Sequence, residues 1–356
     1  MSICYQSQCC TVIDHCQFIS NLYEKVLLFN NESLDEILSF KLSCNIFSII
    51  SNGKEFKNRK RKLDHFVLKE TEMIQEKYKN FKLEDVFKIK SDIFKKYNTM
   101  ETSEVRDLAA KLAETTNFDL NGVNGGNNSD VALKCRIKDN MFLLPPQCRF
   151  YCGCVKTQCL KLAGNTYDIV IADPPWWNKY IRRLKDADQK LSYSMMYNED
   201  IAAIPVKELL ASSSLVAVWC TNSPSNIKAV KELIFPQWGV EYLTTWYWLK
   251  LTIDLEPLCE FGSGCQKQPY ERVMIGKVGE VKDVPHNLLF ASVPSALHSH
   301  KPPLLDLLTR YVNGDNPQTL ELFARYLLPN TTSVGYEPLK WQHISLFDTG
   351  PANIKY

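Results

Sequence analysis

The rhythm of apolar positions changes twice along the chain, and each change predicts a different architecture. Residues 1–53 carry short apolar runs broken by Cys, Ser and Asn. The runs at 26–29 and 45–50 predict short strands or helical pieces. Over residues 54–116 the apolar positions recur every three or four residues, as at Ile74, Tyr78 and Phe81, with Lys, Glu and Arg filling the gaps. That spacing predicts two or three amphipathic helices. Residues 117–130 are rich in Asn and Gly and hold too little apolar surface to bury, so a flexible loop ending a second region, 54–130, is expected there.

From residue 131 the texture is different again. Residues 167–172 are apolar at nearly every position, as a strand covered on both faces must be. Further strands are expected at 215–219, 242–249, 272–278, 288–293 and 319–323, with helices at 206–212, 226–235 and 304–312 between them. Alternating strand and helix predicts an α/β fold: a doubly wound, mostly parallel sheet of Rossmann-like type over residues 131–356. No repeat of fixed period is visible.

Composition narrows the reading only in places. Of 356 residues 45% are hydrophobic, enough for a packed core. Lys+Arg 42 against Asp+Glu 40 leaves almost no global field, so any nucleic-acid contact must come from a local patch. The run Asn58-Arg59-Lys60-Arg61-Lys62 is one such patch. It reads equally well as a nuclear import signal, an RNA-backbone contact or a solvated helix start. No basic leader opens the chain and no apolar stretch approaches the ~20 residues a bilayer needs, so a soluble, intracellular protein with no membrane partner is expected. The 13 cysteines form no C-x-x-C pair. Neither the group Cys4, Cys9, Cys10, His15, Cys16 nor the group Cys148, Cys152, Cys154, Cys159 has the spacing of a zinc knuckle, and no metal is expected.

The chemistry concentrates at Asp173-Pro174-Pro175-Trp176, directly after the buried strand at 167–172. Ligands of such sheets bind at the carboxyl ends of the strands. Two prolines stiffen the loop and remove its N–H donors, leaving carbonyls free to accept. This suits methylation of adenine's exocyclic amine, whose lone pair is delocalised into the ring. Asp173 can accept one amine hydrogen, the Pro174 carbonyl the other, and Trp176 can stack on the base. The carboxylate then stabilises the positive charge that develops on the amine. Asp-Pro-Pro alone is more often a plain turn; its setting after a buried strand favours the functional reading. Ser299-His300-Lys301-Pro302-Pro303 opens a helix, where Lys301 can hold an anionic group. Phe323 and Arg325 close the strand at 319–323 and can meet a cofactor's adenine and ribose. Glu337 is the kind of acid that takes ribose hydroxyls.

With these residues in view, the chain resembles the MT-A70 (D-P-P-W) family of adenosine N6-methyltransferases over roughly 140–347. The likeness rests on Asp173 to Trp176 with Asn178, on Lys267-Gln268-Pro269-Tyr270-Glu271, on the Leu297 to Pro303 stretch, on Leu320 to Arg325 and on Leu339-Lys340-Trp341-Gln342-His343. It implies a circularly permuted Rossmann-like methyltransferase using S-adenosylmethionine. Cofactor contacts would come from Cys154, Val155 and Lys156 through their backbone, and from Asp173, Lys301, Phe323, Arg325, Gly335, Tyr336 and Glu337. Substrate contacts would come from Trp176, Trp177 and Asn178, joined by Arg59, Lys60, Arg61 and Lys62. The implied substrate is single-stranded or looped RNA, 2′-O-methyladenosine of U2 small nuclear RNA in particular, with no obligate protein partner; the expected location is the nucleus, with the cytoplasm as a further site. A DNA adenine methyltransferase and a catalytically weak RNA-binding scaffold are the alternatives. The family box W-G-N-E reads Val334-Gly335-Tyr336-Glu337 here, and Trp177 stands where relatives often carry an acidic residue.

Overall fold

The computed structural model describes residues 1–28, 37–48, 65–84, 94, 97, 100–177, 195–262, 268–314 and 316–351. The basic run at 58–62, Asn178 and Lys267 lie outside them.

The N-terminal third opens with β1 (Ile3–Gln6), β2 (Thr11–Ile13), α1 (His15–Leu22), β3 (Val26–Leu28) and β4 (Ile37–Leu42). Helices α2 (His65–Leu83) and α3 (Thr102–Thr115) follow, as the three-to-four spacing requires. Next come β5 (Asn124–Asn127), β6 (Ala132–Ile137), β7 (Asn140–Leu144), β8 (Cys148–Cys152), α4 (Val155–Lys161) and β9 (Tyr167–Ala172). The rest of the chain supplies β10 (Leu210–Cys220), β11 (Glu241–Lys250), β12 (Tyr270–Val278), β13 (Leu289–Ser292), β14 (Thr319–Leu322), β15 (Thr331–Gly335) and β16 (Phe347–Pro351).

Eleven strands form one sheet in the order β1-β2-β13-β11-β12-β10-β9-β14-β15-β8-β5. Six of its ladders are parallel, including the run β10-β9-β14-β15-β8. This is the mixed α/β, mostly parallel sheet the alternation predicts. A smaller sheet, β16-β4-β3-β6-β7, packs beside it. β9 and the second half of β10 (215–220) are buried on both faces, so their sequences are nearly continuous apolar runs rather than alternating ones.

Three local expectations are corrected. The helix expected at 206–212 is a single 3-10 turn, Lys207–Leu209, after which β10 begins at Leu210. The three serines at 212–214 hide the strand, and the ladder with β9 shifts register between Leu210 and Leu215. The loop expected at 117–130 contains β5, an exposed edge strand antiparallel to β8. A Cβ on Gly126 would lie 2.2 Å from the Cys148 carbonyl oxygen, so glycine here permits a close backbone approach. Finally, strands from the first 53 residues join the large sheet through β2 and β13, so its hydrogen bonding crosses the boundary expected at 131.

Arg272 ties the helical region to the sheet. It is fully buried on β12, ion-paired with Glu70 of α2 and hydrogen-bonded to Asn222. Tyr247 also donates to Glu70, at 2.7 Å. A buried guanidinium needs this degree of pairing.

Candidate active site

Four parallel strands end along one edge of the sheet. β9 ends at Ala172 and leads to Asp173, β14 leads to Phe323, β15 ends at Gly335, and β8 leads to Gly153 and Cys154. From β9 the chain proceeds to its neighbour β10 on one side, while β14 leads to β15 on the other. Such a divergence leaves a crevice at the carboxyl ends of the strands.

The Asp173 loop is held by backbone bonds. Asp173 N–H donates to the Leu322 carbonyl (3.3 Å) and Trp176 N–H to the Pro174 carbonyl (2.8 Å). Met196 and residues 175–177 lock together, with Met196 N–H on the Pro175 carbonyl (2.9 Å) and Trp177 N–H on the Met196 carbonyl (3.1 Å). The Pro174 oxygen keeps a second lone pair for a ligand. Trp176 corrects an expectation. Its ring is 7% exposed, packed into the core, and its indole N–H donates to the Trp219 carbonyl at 2.9 Å. It anchors the loop to the end of β10 instead of offering a face to a base.

Behind Asp173 lies a charged cluster. Lys301 Nζ is 3.9 Å from Asp173 Oδ1 and pairs directly with Glu271, which in turn pairs with Lys250. The Lys301 ammonium also sits over Trp219 (4.8 Å) and Trp248 (5.8 Å), which favour a cation. Burial pushes the Asp173 carboxyl above its ordinary range, against the pull of Lys301 and Arg325. Burial also opposes charge on Glu271, but Lys301 and Lys250 overcome it and hold the carboxyl down at about 2. For Lys301 the opposing burial loses to Asp173 and Glu271, and its pKa is raised. Glu321, on β14, is pushed up to about 8 by burial and by the neighbouring Asp173. Its Oε2 is buried with no hydrogen-bond partner among the described residues. Glu321 therefore resists ionisation and keeps a hydrogen bond to offer.

Asp173, Lys301, Glu321, Phe323 and Arg325 line one shared depression. Adjoining it is an open cavity of about 170 Å³, walled by Cys154 to Lys156, Pro175, Met196, Phe323 to Arg325, Tyr336 and Glu337. Arg325 Nε lies 3.3 Å from Glu337 Oε2. Seven non-glycine residues have positive φ among the described residues, and two of them, Ser299 (53°) and Phe323 (63°), line this site. Backbone held in that region collects at functional sites. A Cβ on Gly335 would come within 3.2 Å of Phe323 Cα and Ala324 N, so glycine lets β15 approach the Phe323 turn.

The donor set fits an adenosyl and amino-acid cofactor. An aromatic ring and an apolar wall suit a base, Glu337 with Arg325 suits ribose hydroxyls, and Lys301 with the unpartnered Glu321 oxygen suits a charged amino-acid end. The structure thus brings together Cys154, Val155, Lys156, Asp173, Pro175, Lys301, Phe323, Arg325, Tyr336 and Glu337 from five separate chain segments, with Gly335 beneath them. It does not bring Trp176's ring to the cavity. His300 is buried and held down at about 3, and His298 at about 4, both through burial. Glu271, Lys250, Glu321 and Met196 belong to the site without having been assigned a role from the sequence. Adjacent charges, Glu271-Arg272, inside an otherwise apolar strand were the available signal.

A mixed, mostly parallel sheet with an Asp-Pro-Pro-Trp loop and an open cavity at its carboxyl edge is a Rossmann-like α/β arrangement. Residues 167–337 match the MT-A70 family model. It is 36% identical over 234 residues to the N(6)-adenine-specific methyltransferase METTL4 of Mus musculus, covering 62% of this chain and 48% of that protein. It is 39% identical over 213 residues to the DNA N6-methyl methyltransferase of Caenorhabditis elegans (58% and 55%). It is 34% identical over 200 residues to the N6-methyladenosine RNA methyltransferase MTA1 of Cryphonectria parasitica (54% and 58%). The chain spans about half the length of the relatives it matches.

Proposed function

We propose that this chain methylates the exocyclic amine of adenine in nucleic acid, with S-adenosylmethionine as methyl donor. The observation that carries this reading is the placement of Asp173 beside Lys301 at the carboxyl end of β9, in a depression that adjoins an open cavity lined by Phe323, Arg325 and Glu337. The cofactor, when bound, supplies an electrophilic methyl on a sulfonium. Asp173 accepts one amine hydrogen and the free lone pair of the Pro174 carbonyl accepts the other. This localises the nitrogen lone pair and orients it. The carboxylate balances the charge that grows on nitrogen as the bond forms, then takes the released proton. Lys301, itself fixed by Glu271, keeps Asp173 ionised and in place.

The finer reading is an adenosine in single-stranded or looped RNA, already 2′-O-methylated, as in U2 small nuclear RNA. The family resemblance supports it. The basic run at 58–62 supports a nuclear site of action and contact with the RNA backbone. The name of the Caenorhabditis relative favours a second reading, DNA adenine. Nucleoside mass spectrometry of treated oligonucleotides tests all three: RNA with an unmodified adenosine, RNA with 2′-O-methyladenosine, and DNA. The expected order of N6-methyl product is 2′-O-methylated RNA, plain RNA, then DNA. Product on DNA equal to that on RNA overturns the RNA assignment, and no product on any of them overturns the activity.

A further inference from the structure

Two aromatic side chains outside the core stand beside the cavity. Trp177 and Tyr197 stack with ring centroids 5.9 Å apart and planes 20° apart. Tyr197 is 57% exposed and Trp177 is partly buried. Neither belongs to any of the hydrophobic clusters of the fold. A lone exposed aromatic residue needs no explanation. A pair held in register does, and the register here is built. Trp177 N–H donates to the Met196 carbonyl and Met196 N–H to the Pro175 carbonyl, so the backbone fixes both rings from two distant stretches of chain. The same Pro175 and Met196 line the cavity, which makes the aromatic pair continuous with the site. Trp176, one residue earlier, is turned into the core. The loop thus divides its two tryptophans between anchoring and display.

We propose that Trp177 and Tyr197 form a stacking platform for the unpaired nucleobase next to the target adenine. This rests on the nucleic-acid reading above and adds a second subsite to it. An exposed flat π-surface at the edge of a nucleoside cavity is what an unstacked base seeks. Every base has a π-face, so the platform selects unpaired strand over duplex without selecting a particular neighbour. A displayed, pre-stacked indole and phenol at the rim of this cavity suit a planar heterocycle. It follows that a target adenine with bases beside it binds better than one flanked by abasic positions.

The test uses the full chain and a single-stranded RNA oligonucleotide with one adenosine and 2-aminopurine as its neighbour. Stacking quenches 2-aminopurine fluorescence without any need for turnover, and methyl transfer is read in the same tube. The expected results are quenching with the unaltered chain, loss of quenching in Tyr197→Ala, and retention in Tyr197→Phe. Apparent affinity for the base-flanked over the abasic-flanked oligonucleotide should be roughly tenfold higher and collapse in Tyr197→Ala. Quenching that is absent from the unaltered chain, or unchanged in Tyr197→Ala, overturns the platform. Circular dichroism shows that the variant is folded. Methyl transfer without quenching removes the platform and leaves the activity. Quenching without methyl transfer removes the activity and leaves the platform.

Discussion

The two halves of the candidate site are built on opposite principles. On the side of β8, β14 and β15, parallel strands end at an open cavity lined by backbone, Phe323 and Tyr336. On the side of β10, β11 and β12, the site is closed by charge: Lys250, Glu271, Lys301 and Asp173 form a chain of ion pairs above Trp219 and Trp248. The open half has room for a ligand. The closed half has little, but it sets the protonation and direction of Asp173. One half binds and the other orients, so substitutions in the two halves should fail in different ways.

The sharpest separation comes from Asp173→Ala. Methyl transfer should fall ~10³-fold or more, because both the hydrogen-bond acceptor and the countercharge are lost. Cofactor affinity, measured by calorimetry, should change far less. Turnover retained in this variant would break the division of roles. In the frame behind the charged half, Arg272→Leu should destabilise the fold by about 3–5 kcal/mol in denaturant melts, since it strands the Glu70 carboxylate. A loss under 1 kcal/mol would show that α2 is not pinned by this pair.

Glu271→Gln is a smaller and more specific perturbation. Glu271 fixes Lys301 and its charge raises the Asp173 pKa. The variant should lose ~10-fold in kcat and its acid limb should move to lower pH, as Asp173 becomes easier to ionise. An acid limb that stays in place would mean that Asp173 is not the group titrating. Glu271 also carries a stability signature. Its folded pKa of about 2 lies below its ordinary 4.5, so its contribution is present above pH 4.5 and is lost as pH falls toward 2.

The smallest effect is expected at Glu321. Its pKa of about 8 means that it ionises beside Asp173 as pH rises, giving activity a basic limb. The unfolded chain releases that proton near 4.5, so stability falls between pH 4.5 and 8. Glu321→Gln should remove the basic limb and raise Tm at pH 8 by roughly 3 °C. An unchanged basic limb and an unchanged Tm would place Glu321 outside the titrating set.

The binding half was the more legible in the sequence. β9 announces itself as a continuous apolar run, and Phe323 and Arg325 follow the end of β14, where ligands of such sheets gather; of the orienting half, Asp173 and Lys301 were also picked out by their motifs. Glu271 and Lys250 were not legible, because they sit at strand ends far from Asp173 in the chain. Glu271 falls one residue before the strand expected at 272–278, and Lys250 one residue after that at 242–249. β5 was hidden by Gly and Asn, and the start of β10 by its serines, because pairing and not propensity decides an edge or a bulge. Trp176 was read by residue type. Only packing reveals that its indole faces inward while Trp177 stacks on the exposed Tyr197.

The most direct test of the account is nucleoside mass spectrometry after incubation of adenosine-containing RNA with methyl-labelled S-adenosylmethionine, comparing the unaltered chain with Asp173→Ala at equal, calorimetrically verified cofactor occupancy. The account predicts labelled N6-methyladenosine from the unaltered chain and a near-complete loss from the variant. Labelled product in equal amounts from both, or none from an unaltered chain that binds the cofactor, would contradict it.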